Sequence, residues 1–209
     1  MQTLKRYAIH LRGLSPIIMN CDRLANPLDP QKKKLSELTS IKKKMDEHYL
    51  AMSKIEWQAR MYFDDDIGLY ISSKMIAGCF RASARKEKKG MLMKAVIIDC
   101  MPGTPIIQYK NKTQEELWAL INKKGEHVHA FIESVNVQRA KTMRTRPIFH
   151  NWEIKFELLL NVELLSEREL ELIIKRAGFD FGMGDCRPEL ATGIFGRFNL
   201  ESMVEIKEN

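Results

Sequence analysis

Apolar and polar residues alternate over Leu4–Gly13: Tyr7, Ile9 and Leu11 fall on one face, Arg6, His10 and Arg12 on the other. A period of two predicts a half-buried strand with a basic outer face. Ser15-Pro16 ends it. Residues 20–34 are polar, contain Pro27 and Pro30, and read as a loop. From 35 to about 60, apolar residues recur at helical spacing (Leu35, Leu38, Ile41, Met45, Tyr49, Met52, Ile55), which predicts one helix. Residues 61–63 and 69–71 read as short strands around the acidic turn Asp64-Asp65-Asp66. Ser72 or Ser73 then caps a helix to about Lys86, with Met75, Ile76, Cys79 and Phe80 as its apolar stripe.

Residues 92–100 form an apolar run that suits a strand or a short helix, and 105–109 a short strand. Thr113 and Glu116 form a capping box that opens another helix. The two longest strand signals are 127 to about 139 and 148–161; in the second, Trp152, Ile154, Phe156, Leu158 and Leu160 alternate strictly. Ser166, with Glu169 in the capping-box position, opens a helix to Ala177, and 197–206 reads as the last strand.

With the intervening stretches set aside, the order is strand 4–13, helix 73–86, strand 127–139, strand 148–161, helix 166–177, strand 197–206. That is βαββαβ. It predicts an α+β, ferredoxin-like (RRM-like) antiparallel sheet with helices on one face. The expectation is a single domain over 1–209, with helical insertions at about 20–66 and 91–126 and a basic β-hairpin. Sheets of this type often bind single-stranded nucleic acid, although the aromatic consensus of an RNA-recognition motif is absent.

Charge changes the picture. The 209 residues carry a formal net charge of +7, which favours a polyanionic partner where the cations cluster. The cysteines at 21, 79, 100 and 186 are widely spaced and form neither a disulfide framework nor a zinc site, so a reducing, cytoplasmic setting is expected. No apolar run approaches the ~20 residues of a membrane helix, and the N-terminus lacks the apolar core of a signal peptide. No membrane partner is expected.

Three features carry candidate binding chemistry. First, five of the eleven glycines fall at 178, 182, 184, 193 and 196, interleaved with Arg187 and Arg197. Dense glycine frees backbone for positive φ or close approach, and such loops can present main-chain N–H groups to phosphate. Second, Lys74, Gly78, Arg81, Arg85 and Lys88 line one helix face with no intervening acid. A mid-helix glycine costs ~1 kcal/mol relative to alanine, so Gly78 suggests that a backbone or a ligand comes close. Third, Arg139-Ala140-Lys141-Thr142-Met143-Arg144-Thr145-Arg146 carries four positive charges and no acid between two strand signals, reading as the basic tip of a long hairpin. Arg12 adds a cation on the outer face of the first strand; a solvated edge strand explains it equally well. The lysine run 42–44 reads as a solvated helix face. His127, His129 and His150 read as structural or surface residues, since no ligand set surrounds them. Asp64, Asp65 and Asp66 lack the spacing of a calcium loop and read as a soluble turn. No cofactor and no metal are expected.

GMGDCRPELATGIFGRF, GLYISSKMIAGCFRASARK and the βαββαβ order together resemble the RAMP superfamily, the backbone subunits of CRISPR effector complexes. They also resemble small temperate-phage proteins with the same C-terminal pattern. The likeness covers about half the chain and leaves 20–66 and 91–126 unmatched. It implies a protein that binds single-stranded RNA along its backbone, with a protruding hairpin. By position, Gly182, Gly184, Arg187, Gly193, Gly196 and Arg197 would be loop contacts. Arg81 and Arg85 would lie beside them, and Arg139, Lys141, Arg144 and Arg146 at the hairpin tip. Some family members cut RNA with an aspartate after the first strand, for which Asp22 stands nearest; no histidine lies within the loop. The leading expectation is a non-enzymatic binder of single-stranded RNA or DNA, able to assemble side by side as a homo-oligomer or within a CRISPR-type complex. Two rivals stand beside it: a metal-dependent nuclease using Asp22 or Asp64, Asp65 and Asp66, and a phage or defence factor that binds protein by mimicking a CRISPR subunit.

Overall fold

The computed structural model describes residues 4–137, 140–190 and 193–207. Along these, the chain forms β1 (Leu4–Gly13), β2 (Ile17–Ile18), α1 (Pro30–Ser40), α2 (Asp46–Arg60), β3 (Phe63–Asp64), β4 (Gly68–Ser72) and α3 (Ser73–Lys86). Then follow β5 (Val96–Asp99), β6 (Gly103–Pro105), α4 (Gln114–Ala119), β7 (Ala130–Val137), β8 (Ala140–Phe149), β9 (Glu153–Asn161), α5 (Glu167–Arg176) and β10 (Phe198–Ile206). The fold is mixed α and β with antiparallel sheets. Two units are distinguished: Met1–Ile17, Asp64–Asn111 and His150–Asn209 form the first, Ile18–Phe63 and Lys112–Phe149 the second.

The first unit is built on a four-stranded sheet of order β10-β1-β9-β5. The alternation in β1 and β9 turns Tyr7, Ile9, Leu11, Ile154, Phe156, Leu158 and Leu160 to one face, where all are buried. Each such side chain contributes about 1.5–3 kcal/mol on burial. α3 and α5 cover that face. Ser83 Oγ of α3 donates to Ile173 O of α5 at 2.9 Å, and Tyr7 Oη donates to Glu167 at the start of α5 at 3.2 Å. Both helices start on caps legible in sequence: Ser72 accepts from Met75 N, and Ser166 with Glu169 forms a reciprocal capping box. A smaller sheet, β3-β4-β6, carries the chain into α3.

The second unit packs α1, α2 and α4 with the hairpin β7–β8. Trp57 is fully buried and donates to His129 O at 2.7 Å; Trp118 lies 5.2 Å from it and stacks on His127 at 3.9 Å. β2 is too short to cover the edge of β8. Glu56 of α2 meets a further point on it, accepting from Thr145 N at 2.9 Å and from Arg144 Nη1 at 2.6 Å. A side-chain carboxylate thus caps an edge amide that would otherwise invite another strand.

Four expectations need correction. The strand at 127–139 does not join the main sheet; its residues 130–137 pair with β8 in the sheet of order β2-β8-β7, and the apolar run containing Val96–Asp99 takes the edge of the main sheet instead. The signal over 148–161 is interrupted at 150–152, where the chain passes from β8 to β9. The helix expected at 35–60 is two. α1 starts at Pro30 because Asp29 caps it, accepting from Gln31 N at 2.8 Å, so Lys32-Lys33-Lys34 is helical rather than part of a loop. It ends at Ser40, and Lys42-Lys43-Lys44 lies in the connecting turn. Finally, the basic run after Arg139 is not a hairpin tip: Ala140 to Arg146 belongs to strand β8, and Arg139 itself lies outside the described residues.

The Ser166 box gives a test. Hydrogen bonds from Lys89 Nζ at 2.8 Å, then from the Ser166 hydroxyl and amide, hold the Glu169 carboxyl at about 2, against its ordinary 4.5. A depressed carboxylate contributes stability that is present above its unfolded value and is lost as pH falls from about 4.5 toward 2. Glu169→Gln is expected to flatten the stability curve in that acid window, read from thermal melts. Ser166→Ala is expected to cost about 1 kcal/mol at neutral pH.

Candidate nucleic-acid interface

Helix α3 offers the cleanest cationic surface. Its buried residues, including Ile76, Phe80, Ser83 and Ala84, face the sheet and α5, so the opposite face is left to solvent. Lys74, Gly78, Arg81 and Arg85 are all exposed there, whereas Lys88, expected on the same face, lies past the end of α3 in a turn with φ 58°. Among the described residues, Lys74, Arg81 and Arg85 make no ion pair and no side-chain hydrogen bond. Nothing lies within 4 Å of where a Cβ at Gly78 would stand. The glycine therefore serves no internal packing and leaves an open patch of backbone between the cations. From Lys74 to Arg85 the stripe covers about 16 Å of helix.

The glycine-rich stretch is a backbone crossing. After α5 the chain makes one π-helical turn, Ala177–Phe181, and then turns at Gly182 (φ 69°), Gly184 (φ 84°) and Gly196 (φ 74°). A Cβ at Gly196 would stand 1.7 Å from Met183 O, and one at Gly193 2.0 Å from Arg187 O. The amides are used internally. Gly182 N donates to Ala177 O at 2.8 Å, Gly193 N to Leu190 O at 3.1 Å, and Gly196 N to Pro16 O at 2.7 Å. Gly182 and Gly196 are buried. These three glycines thus permit close main-chain packing and present no N–H outward, which corrects the expectation of a phosphate-cradling loop there. Arg187 braces the same crossing. Its fork meets Glu189 at 2.9 and 2.8 Å, and its Nη1 donates to Gly184 O at 3.0 Å. Arg197 is different. Its guanidinium lies 5.0 Å over the ring of Phe179, which is 61% exposed. An exposed aromatic under a cation is a stacking platform of the kind single strands use. The sequence reading missed Phe179; an aromatic residue just before a glycine-rich stretch was the available signal.

Arg12 lies on the open face of the sheet, away from the helices, so it does not converge with the α3 stripe. It donates to Glu153 Oε1 at 3.1 Å, while His10 contacts Glu153 Oε2 at 2.9 Å and Arg6 binds both Asp99 and Glu157. The basic face foreseen from β1 alone is matched by acids from neighbouring strands. In the second unit, strand alternation sends exposed Lys141 to one face of β8 and Arg144 and Arg146 to the other. Arg144 is held by Glu56, and Arg146 is half-buried.

The aspartates have local roles. Asp64 Oδ1 accepts from Asp66 N at 3.0 Å and Ile67 N at 3.2 Å, stabilising the turn, and Asp22 opens a 3-10 turn in solvent. Among the described residues, no His, Cys, Asp or Glu group that could hold a metal ion comes together. Burial pushes the Cys79 thiol up and that of Cys100 up to about 11, so neither is a ready nucleophile. No helix of the described residues is long and apolar enough to cross a membrane. No protein-family model matches the chain, and a search of curated proteins finds no match.

Two substitutions separate scaffold from surface. Gly196→Ala is expected to lower stability by at least about 2 kcal/mol in urea unfolding, because both φ and the Met183 carbonyl oppose a side chain. Arg12→Ala is expected to leave oligonucleotide affinity within about twofold of the parent, since its charge is already matched.

Proposed function

We propose that the protein is a non-enzymatic binder of single-stranded RNA or DNA that grips the sugar–phosphate backbone. The α3 stripe carries this reading. Three cations of one sign, unpaired and exposed on a rigid helix beside open backbone, suit a phosphate chain, and each neutralised phosphate releases counterions. Phe179 under Arg197 supplies an aromatic face on which a base can stack.

Taken as β1, α3, β5, β9, α5 and β10, the first unit reads βαββαβ, and a strand order of β10-β1-β9-β5 is compatible with a ferredoxin-like arrangement. In this reading β5, rather than the stretch at 127–139, serves as the second strand, and the hairpin-bearing unit is made of two insertions, Ile18–Phe63 between β1 and α3 and Lys112–Phe149 before β9. The likeness to the RAMP superfamily and side-by-side assembly along a strand are proposed on that basis.

The test is fluorescence anisotropy with labelled 30-nucleotide RNA and DNA. Affinity is expected to fall at least tenfold between about 50 and 200 mM salt. For K74E/R81E/R85E the log–log salt slope is expected to shrink by roughly two, at ~0.7 per phosphate for single strands. No binding of either oligonucleotide at low salt would end this reading.

A further inference from the structure

The positive charge is divided unevenly between the two units. The second holds sixteen Lys and Arg against ten Asp and Glu, the first eighteen against seventeen. Six of the seven net charges therefore lie in Ile18–Phe63 and Lys112–Phe149, outside the unit that carries α3. Within the second unit the densest source is the elbow between α1 and α2.

That elbow is internally held. Lys44 Nζ donates to Thr39 O at 2.8 Å and Ile41 O at 2.7 Å, placing a cation on the carbonyls at the negative end of α1. Met45 N donates to His48 Nδ1 at 3.0 Å, fixing the entry to α2. With Lys44 used as the cap, Lys42 and Lys43 are left exposed in the turn, and Lys33 and Lys34 are exposed on α1. Among the described residues none of these four makes an ion pair. Asp46 and Glu47 sit in the first turn of α2, where they complement the helix's positive end. One turn on, Tyr49 is 57% exposed.

We propose that the α1–α2 elbow is a second, independent grip for a single strand, in which Lys42 and Lys43 meet phosphates and Tyr49 stacks on a base, with Lys33 and Lys34, about 10 Å back along α1, as further phosphate contacts. The inference rests on the nucleic-acid reading above and extends it to a surface on the other unit. An acidic peptide would match the lysines but has no need of an exposed aromatic ring, and a duplex keeps its bases inside; the lysines and Tyr49 together fit an unpaired strand.

The full chain is tested by anisotropy with a 30-nucleotide single strand at about 100 mM salt, with folding checked by circular dichroism. K42Q/K43Q is expected to weaken binding at least fivefold. K123Q/K124Q, which removes the same charge from the exposed turn before β7, is expected to change it less than twofold. Tyr49→Ala is expected to weaken binding roughly tenfold, and Tyr49→Phe to retain it. Three results overturn the elbow assignment while the general reading survives. These are equal losses in the two lysine pairs, an unchanged Tyr49→Ala, or loss on reversal of Lys74, Arg81 and Arg85 with none at the elbow. Displacement by poly-glutamate as effective as by oligonucleotide would also overturn it, since the surface would then answer to charge alone. Absence of binding by the parent protein removes both readings together.

Discussion

The first unit depends on the insertion of one N-terminal strand between two C-terminal ones. β1 pairs along its length with β9 on one side and β10 on the other. Those ladders join residues about 140 to 200 positions apart in the chain. The pairing puts Tyr7, Ile9 and Leu11 under α3 and α5, and this gives the helices a base to pack on. Facing α3 inward through Ile76, Phe80 and Ser83 then leaves Lys74, Arg81 and Arg85 outside. The candidate surface is a consequence of the buried one.

The same pairing explains why charge on the open sheet face is not available charge. Register brings acids from β5, β9 and β10 beside Arg6, His10 and Arg12, so a face that looks basic along one strand is nearly balanced across four. The helix stripe escapes this because, among the described residues, no acid pairs with Lys74, Arg81 or Arg85. Exposed ion pairs on a sheet add little stability, typically under 1 kcal/mol each. Their effect here is mainly to spend cations that a polyanion would otherwise meet.

The glycine-rich stretch teaches a related lesson. Glycine density signals close approach, but the approaching group here is the chain itself: Met183 and Gly196 meet backbone to backbone, and the residues around Arg187 pass under Gly193. The amides of Met183 and Gly196 are used in that crossing, and those of Gly182 and Gly193 in local turns. What the stretch contributes outward comes from its flanks, from Phe179 and Arg197, while the charge of Arg187 is matched by Glu189.

Local signals in the sequence were enough for elements whose physics is local. Strict alternation identified β1 and most of β9; hydroxyl caps and capping boxes identified the starts of α3, α4 and α5; the bare basic stripe of α3 was legible from spacing alone. Asp29-Pro30 also marked a helix start, but the polar composition around it concealed the signal. Tertiary structure decided the rest, because the deciding contacts join residues distant in sequence. Partner choice sent β7 to β8 and left the short run Val96–Asp99 to edge the main sheet. Register matched Arg12 with Glu153, packing of α2 on β8 matched Arg144 with Glu56, and chain crossing closed the Gly196 amide. A residue type states which interactions are possible, and only the fold determines whether the partner is solvent, a ligand or another part of the same chain.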